Sequence, residues 1–517
     1  MKLTITKFSL FNLSKIVLYL LFLGVMPVIS MAQTKEKVKF SAESLAPGKG
    51  KSEPYKILTN NVVFSQKNTR INCDSAHYYD ERNYLEAFGR VRIKEGDSIT
   101  ITGKKLTYDG NIKLAQITED VVYRDPSMTL RTDFLDYDMM DQLAYYYEGG
   151  NLVTESNRIT SKKGYYDTEA RFASFKDSVI LKNPDYTVEA DTFQFNTISE
   201  VATFRGPTLI TSKNGTILHA EDGGRYDTRQ EISNFSGAEI ETPKYLLDGD
   251  SLYGDKLKSY YEANFNVRFT SKEQDVVITG EHGRYWQDLG LTKIYGKAVM
   301  RKILNEDTLY VSADTLISIE DSVLTKERLL AYNKVKIFKS DLQGLADSLS
   351  YRVNDSVIYM YDDPILWNLA NQIVADTIDI EIAEGQLDLM HMNSNAFVTS
   401  EAVPTYYNQI KGRKMIADFL ESEINKVDVN GNGESIYYEL ESDTLVMAMN
   451  KVVCSDMLIK FQERQVVEIT FYAPDGSFVP PHEITGVSTR LKGFAWREEE
   501  KPSKAEVLHL ADPEENP

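Results

Sequence analysis

Val91-Arg92-Ile93-Lys94-Glu95-Gly96-Asp97-Ser98-Ile99-Thr100-Ile101 decides the fold. Apolar and polar side chains alternate on both sides of a polar turn that contains glycine, which predicts a β-hairpin with one buried face. The layout returns at Val179–Val188 around Lys182-Asn183-Pro184-Asp185, and at Leu209–Leu218 around Lys213-Asn214-Gly215. Val, Ile, Tyr and Thr fill these runs, as strands prefer. Helical spacing is confined to a weak case at Met415–Ile424, so the chain reads as all-β.

A second motif (small, acidic, any, apolar, any, aromatic) recurs about thirteen times between residues 73 and 460, roughly every thirty residues. Ala346-Asp347-Ser348-Leu349-Ser350-Tyr351 is one copy, and the first six copies end at Tyr78, Tyr108, Tyr137, Tyr166, Phe195 and Tyr226. A fixed period of this length predicts stacked copies of one supersecondary unit, each unable to bury its apolar face alone. Two residues before the final position stand Ala76, Leu106, Leu135, Gly164, Phe193, Gly224, Leu257, Gly283, Leu316, Leu349, Ile378, Leu420 and Leu458, all apolar or glycine. This column is expected to line the interior. The final position drifts from aromatic to Ser259, Ser318, Ile380, Ser422 and Lys460, and reads as a relaxed outer column. The acidic column, Asp74 and Asp133 through Asp376, Asp418 and Asp456, reads as carboxylates bonding backbone amides at chain corners. A calcium ladder is the competing reading, but no second ligand stands at fixed spacing.

The formal charge of −19 argues against a nucleic-acid partner, whose phosphates demand a basic face. Lys2, Lys7 and Lys15 precede an apolar run, Ile16–Val28, and the small residues Ser30-Met31-Ala32, which reads as a secretory signal peptide over 1–32. Residues 33–54 read as a linker, 55–475 as the repeat region, and 476–517 as a tail, partly disordered from about Arg497. The two cysteines, Cys73 and Cys454, share the parity of apolar neighbours and read as buried strand positions.

Asp428-Val429-Asn430-Gly431-Asn432-Gly433, followed by Glu439, satisfies the EF-hand loop pattern. Its flanks are β-rich, so two strands joined by an Asn-Gly turn are expected instead. The six histidines show no metal-ligand spacing, and no nucleophile, phosphate-loop or zinc signature is present. No cofactor, metal or catalytic residue is expected. A polysaccharide lyase or hydrolase on a β-helix is the enzymatic alternative, because a carboxylate pair could sit among so many acids. A structural or adhesive cell-envelope repeat protein is the other.

Gly89-Arg90-Val91-Arg92-Ile93, the polar turn, Ile99–Ile101 and then Leu106-Thr107-Tyr108-Asp109 resemble the OstA-like domain. The resemblance covers about residues 55–475, is strongest over 73–230, and allows two or three consecutive OstA-like domains. It extends to Leu491-Lys492-Gly493-Phe494-Ala495-Trp496, which is similar to the tail of longer members. The resemblance implies an elongated β-jellyroll, or β-taco, of stacked antiparallel hairpins. It also implies a non-enzymatic periplasmic protein that carries the lipid A chains of lipopolysaccharide in an apolar groove towards the outer membrane. Partners on that view are the inner- and outer-membrane lipopolysaccharide transport components, joined by edge-strand pairing, and further copies of itself head to tail. The groove-lining residues expected are Val91, Ile93, Ile99, Ile101, Leu106, Leu135, Leu316 and Leu349.

Overall fold

The computed structural model describes residues 36–510 apart from 50–52, 273–274, 305–306, 320–326, 353, 384–385, 421–422, 443–444 and 463–464. The expected signal peptide and residues 511–517 lie outside the described residues. Two compact units divide the chain, one of residues 1–121 with 137–140 and one of 122–136 with 141–517.

In the first unit the hairpin anticipated at Val91–Ile101 forms between strands Tyr84–Glu95 and Ile99–Asp109, with Ile93 opposite Ile101. Strands Pro54–Gln66 and Thr69–Tyr79 precede it, each antiparallel to the next. Every second strand is broken by a bulge near its middle, at Asn60-Asn61 and at Gly89, where φ turns positive. A bulge of this kind bends the strand. The two halves of Pro54–Gln66 accordingly pair with two separate short strands, Lys39–Ser41 and Ser44–Lys49. Residues 36–49, expected as linker, are therefore the first bent strand. Its runs are too short to show a period, but Val38 is buried and Phe40 packs on Phe64 and Tyr78.

The two halves of the bent strands form two walls whose inward residues alternate with outward ones, and the walls meet at the hairpin ends. Tyr78 donates its hydroxyl to Val38 O (3.2 Å), and Tyr108 donates to Gln66 Oε1 (2.5 Å). Burying Ile93 or Ile101 stabilises the unit by about 1.5–3 kcal/mol each.

The second unit repeats the plan from Thr129–Asp138 onwards through antiparallel neighbours to Gln465–Tyr472 and Asp475–Val479. Bulges recur at Asp177-Ser178, Phe265-Asn266, Asn333-Lys334, Ser394-Asn395 and Gly431-Asn432. At one set of hairpin ends the turns stack. Each left-handed residue offers its carbonyl to the next turn, as in Thr168 N to Gln142 O (3.0 Å), Thr197 N to Arg171 O (2.9 Å) and Thr228 N to Glu200 O (2.9 Å). A sustained period of about thirty residues is the sequence trace of this stack. Met415–Ile424, the weak helical case, lies in the strands Tyr406–Leu420 and Glu423–Ser442.

Asp428–Gly433 joins no pair of strands. It runs inside one strand, Glu423–Ser442, with a register shift between Asn430 and Gly433. The Asn-Gly pair that suggests a turn here supplies the positive φ of a bulge, at Gly431 (77°) and Asn432 (56°). The hairpin expected at this point is thus replaced by a corner of one longer strand.

Residues 481–510, expected in the tail, run back over the outer face of this unit. Gln409 and Gln372, both fully buried, act as clamps. Gln409 donates to Thr489 O (2.9 Å) and accepts from Leu491 N (2.8 Å), while Gln372 donates to Ala495 O (2.7 Å) and accepts from Arg497 N (2.6 Å). Phe494 and Trp496 pack on Tyr407, and Arg497 reaches Asp363 at 3.0 Å. A capping box of Ser503 and Glu506 opens the short helix Lys504–Val507, which buries Val507. The Glu, Lys and Pro of this stretch therefore anchor it, and the composition that suggested disorder from Arg497 does not decide the outcome.

Candidate functional site

The columns read from the sequence map onto rows that cross the sheet. Leu58, Ala76, Ala87 and Leu106 form one row in the first unit, all buried. Of the eight residues expected to line a groove, Val91, Ile93, Ile101, Leu106, Leu135, Leu316 and Leu349 are buried, and Ile99 is half-buried. Ile93 and Ile101 face each other across strands, while Leu316 and Leu349 both flank Ala331. Each packs against its neighbours.

Three members of the inner column are misplaced: Leu458 lies on the outward face between the buried Met457 and Ile459, and the other two are exposed. Leu257 is 69% and Leu420 66% exposed, because the copies ending at Ser259 and Ser422 are out of register. The inward residues there are Leu252 and Met415; Leu257 lies in the short 3-10 turn Lys256–Lys258 beyond its strand, and Leu420 follows the inward Phe419 by one residue and so faces out. The final aromatic position is also no outer column. It lies two residues from the inner one and so shares its face, and Tyr78, Tyr108 and Tyr137 are among the largest fully buried side chains.

These tyrosines form a polar seam along the line where the walls meet. Tyr137 faces Glu95, and in the second unit Tyr166 bonds Ser127. Burial, with Asp80 nearby, pushes the Tyr78 phenol up to about 12, and burial likewise raises Tyr108 and Tyr137. Glu95 is raised by burial, against the lowering effects of Tyr137 and Lys113.

Near the C-terminal end of the second unit the row equivalent to the tyrosines reads Ile380, Met390, Ala417, Val427, Ile459 and Ile469. With no phenol there to span the walls, a cleft of about 130 Å³ opens between them. One wall supplies Met392, Ala417, Phe419, Ile424, Val427, Met457, Ile459, Phe461, Val466 and Ile469. The other supplies Ile373, Val398 and Ile410, with Asn368, Asn371, Ser400 and Asn408 towards the rim. None of the lining residues is Asp, Glu, Lys, Arg or His, in a chain whose Asp, Glu, Lys and Arg content is 26%. None of the eight expected groove residues lines this cleft. The signal that could have found it was the methionines Met390, Met392, Met415, Met449 and Met457, crowded where the aromatic position lapses.

The acidic column sits at the corners where it keeps register. Asp74 accepts from Arg90 N (3.0 Å) and from its guanidinium (2.9 Å), which hold the carboxyl below its usual range. Asp456 accepts from Gly431 N (3.0 Å), and Asp376 from Asn395 Nδ2 (3.1 Å). Asp255 instead caps a hairpin end through Lys258 N (3.1 Å), and the corner of its strand belongs to Asp250, bonded by Asn266. In the EF-hand-like stretch Asp428 pairs with Lys426 (3.6 Å) and Glu439 accepts from Asn450 (2.9 Å), so these carboxylates lie along a strand and do not converge. Among the described residues no group of three His, Cys, Asp or Glu is placed to hold a metal ion. Cys73 and Cys454 are both buried and unbridged, and burial, with Asp74 adding, pushes the Cys73 thiol up to about 12.

Residues 35–191 match the OstA-like protein family. Among solved structures, that of LptH from Pseudomonas aeruginosa, described as the LptA homologous periplasmic component of the conserved lipopolysaccharide transport device, aligns with 21% of this chain and 75% of its own. The identity is 15% and the TM-score 0.19, too slight a likeness to carry an argument. No curated protein matches the sequence. The OstA-like match ends at 191, so the cleft near residues 368–469 lies outside it.

Proposed function

We propose that the protein is a non-enzymatic carrier of lipopolysaccharide, working in the periplasm on the route to the outer membrane and holding lipid A acyl chains between its two walls. The observation that carries this reading is the uncharged, mainly apolar cleft at the C-terminal end of the second unit, whose polar lining is limited to neutral side chains such as Asn371, Ser400, Asn408 and the buried Ser435. Apolar surface that two walls of one sheet leave uncovered favours an apolar guest, at about 0.8 kcal/mol per buried methylene. A cleft of about 130 Å³ takes a short length of chain, so deeper entry requires the walls to part. The OstA-like match over residues 35–191 is consistent with it. Edge strands support partners on both sides: Lys39–Ser41 and Asp475–Val479 each have one antiparallel neighbour among the described residues. Lipopolysaccharide transport components, or another copy, would pair there.

The close packing of Val91, Ile93, Ile101 and Leu106 favours a second reading, a structural or adhesive envelope protein whose interior only fills itself. Titrating the purified chain with lipopolysaccharide while following displacement of a fluorescent acyl probe separates the two. The carrier reading expects saturable displacement, competed by lipid A, and absence of displacement at any concentration would overturn it.

A further inference from the structure

The rim of the C-terminal cleft has a chemistry of its own. Asn408 uses its carboxamide oxygen to accept from Tyr438 N (2.9 Å), which turns its NH2 into the available end. Asn368 uses its NH2 on Asp341 O (3.1 Å), which turns its oxygen into the available end. Asn371 and Ser400 lie beside them, and each can both donate and accept. The rim thus offers fixed donors and acceptors together, with no cation to meet a phosphate or carboxylate and no anion to meet an amine. The chain's net charge of −19 adds a long-range penalty for an anionic head.

We propose that this cleft selects an acyl chain whose polar junction is uncharged and carries both a donor and an acceptor, an amide or a hydroxyl-bearing sugar, over a chain that ends in an anion. The apolar part lies on Met392, Phe419 and Met457, and the junction is held at Asn371, Ser400 and Asn408. A charged head at the same depth would be desolvated without a partner. A neutral amide exchanges its water for rim hydrogen bonds at little net cost. A phosphate-bearing end of the same molecule is therefore left outside in water. The inference rests on the carrier reading and refines it.

Competition on the full chain tests it, with a fluorescent acyl probe and three twelve-carbon amphiphiles: N-dodecanoylglucosamine, dodecyl phosphate and dodecanoate. The glucosamide should displace the probe at least tenfold more tightly than either anion. Substituting the half-exposed rim residues, Asn371→Lys with Ser400→Lys, should erase or reverse that order while the melting temperature is held. Ala417→Leu, which fills the cleft, should weaken all three together. Equal affinity of the three ligands, or an order that survives the lysine pair, would overturn the selectivity while leaving the cleft as an acyl site. Displacement by none of them would overturn the carrier reading itself.

Discussion

In strands Thr69–Tyr79 and Ile99–Asp109 the inward row ends in Tyr78 and Tyr108, whose hydroxyls reach the opposite wall at Val38 and Gln66. In strands Gln386–Val403, Tyr406–Leu420 and Leu445–Gln462 the equivalent row ends in Met390, Ala417 and Ile459, and nothing polar reaches across. The backbone plan is shared: bent strands, corner bulges, alternating burial. The difference is one side-chain class at one position in the repeat. Phenols laced to buried acceptors hold the walls together, whereas aliphatic and methionine side chains leave a cleft that only an apolar guest can fill. The same repeat can thus be a filled body in one region and leave an apolar cleft in another.

The comparison is broken most severely by trimming the interior. Ile93→Ala should cost about 3–5 kcal/mol in chemical denaturation, because its neighbours are fully packed. Ile459→Ala should cost nearer 2 kcal/mol, since it borders space already present. Equal costs would mean that the cleft does not persist in solution. Next comes the seam. Tyr108→Phe strands the Gln66 acceptor inside the first unit and should cost about 1–3 kcal/mol. Tyr438→Phe should be neutral or stabilising, because that hydroxyl is buried with no partner among the described residues. A loss at Tyr438 equal to that at Tyr108 would remove the seam's special standing.

Glu95 sharpens the contrast through pH. Its folded carboxyl is raised by burial, so its contribution to stability is fully present below the unfolded value, near 4.3, and is lost as pH rises through the folded value. Glu95→Gln should abolish that loss. Its melting temperature should match the wild type at acid pH and exceed it near neutrality, and identical pH profiles would contradict the burial of Glu95 in the seam. The smallest effect is expected at the corner. Asp74→Asn keeps an acceptor for Arg90 N, and the Arg90 ion pair it weakens lies in solvent, so its melting shift should fall below that of Tyr108→Phe.

Much of this was legible in the sequence. The Val91–Ile101 alternation specified its hairpin, and the apolar column placed Ala76, Leu106, Leu135, Leu316 and Leu349 in the interior, where they are. Reading failed where a degenerate copy was aligned on the wrong residues, because an odd offset moves a position to the other face of a strand. Leu257, Leu420 and Leu458 were placed inside for that reason, and the Asn-Gly stretch of Asp428–Gly433 was taken for a turn when it is a corner. The aromatic column was assigned outwards against its own parity. The strap over 481–510 was hidden because Gln372 and Gln409 bind backbone atoms, which leave no pattern in composition. The cleft was missed because it arises from what is absent at the aromatic position, and a repeat is recognised by what recurs.

The most direct test of the central claim is photo-crosslinking to lipopolysaccharide from a benzophenone residue placed in turn at Phe461 and at Ile93. The account predicts lipopolysaccharide adducts from Phe461, at the cleft, and none from Ile93, in the filled interior. Adducts from Ile93 with none from Phe461 would contradict it.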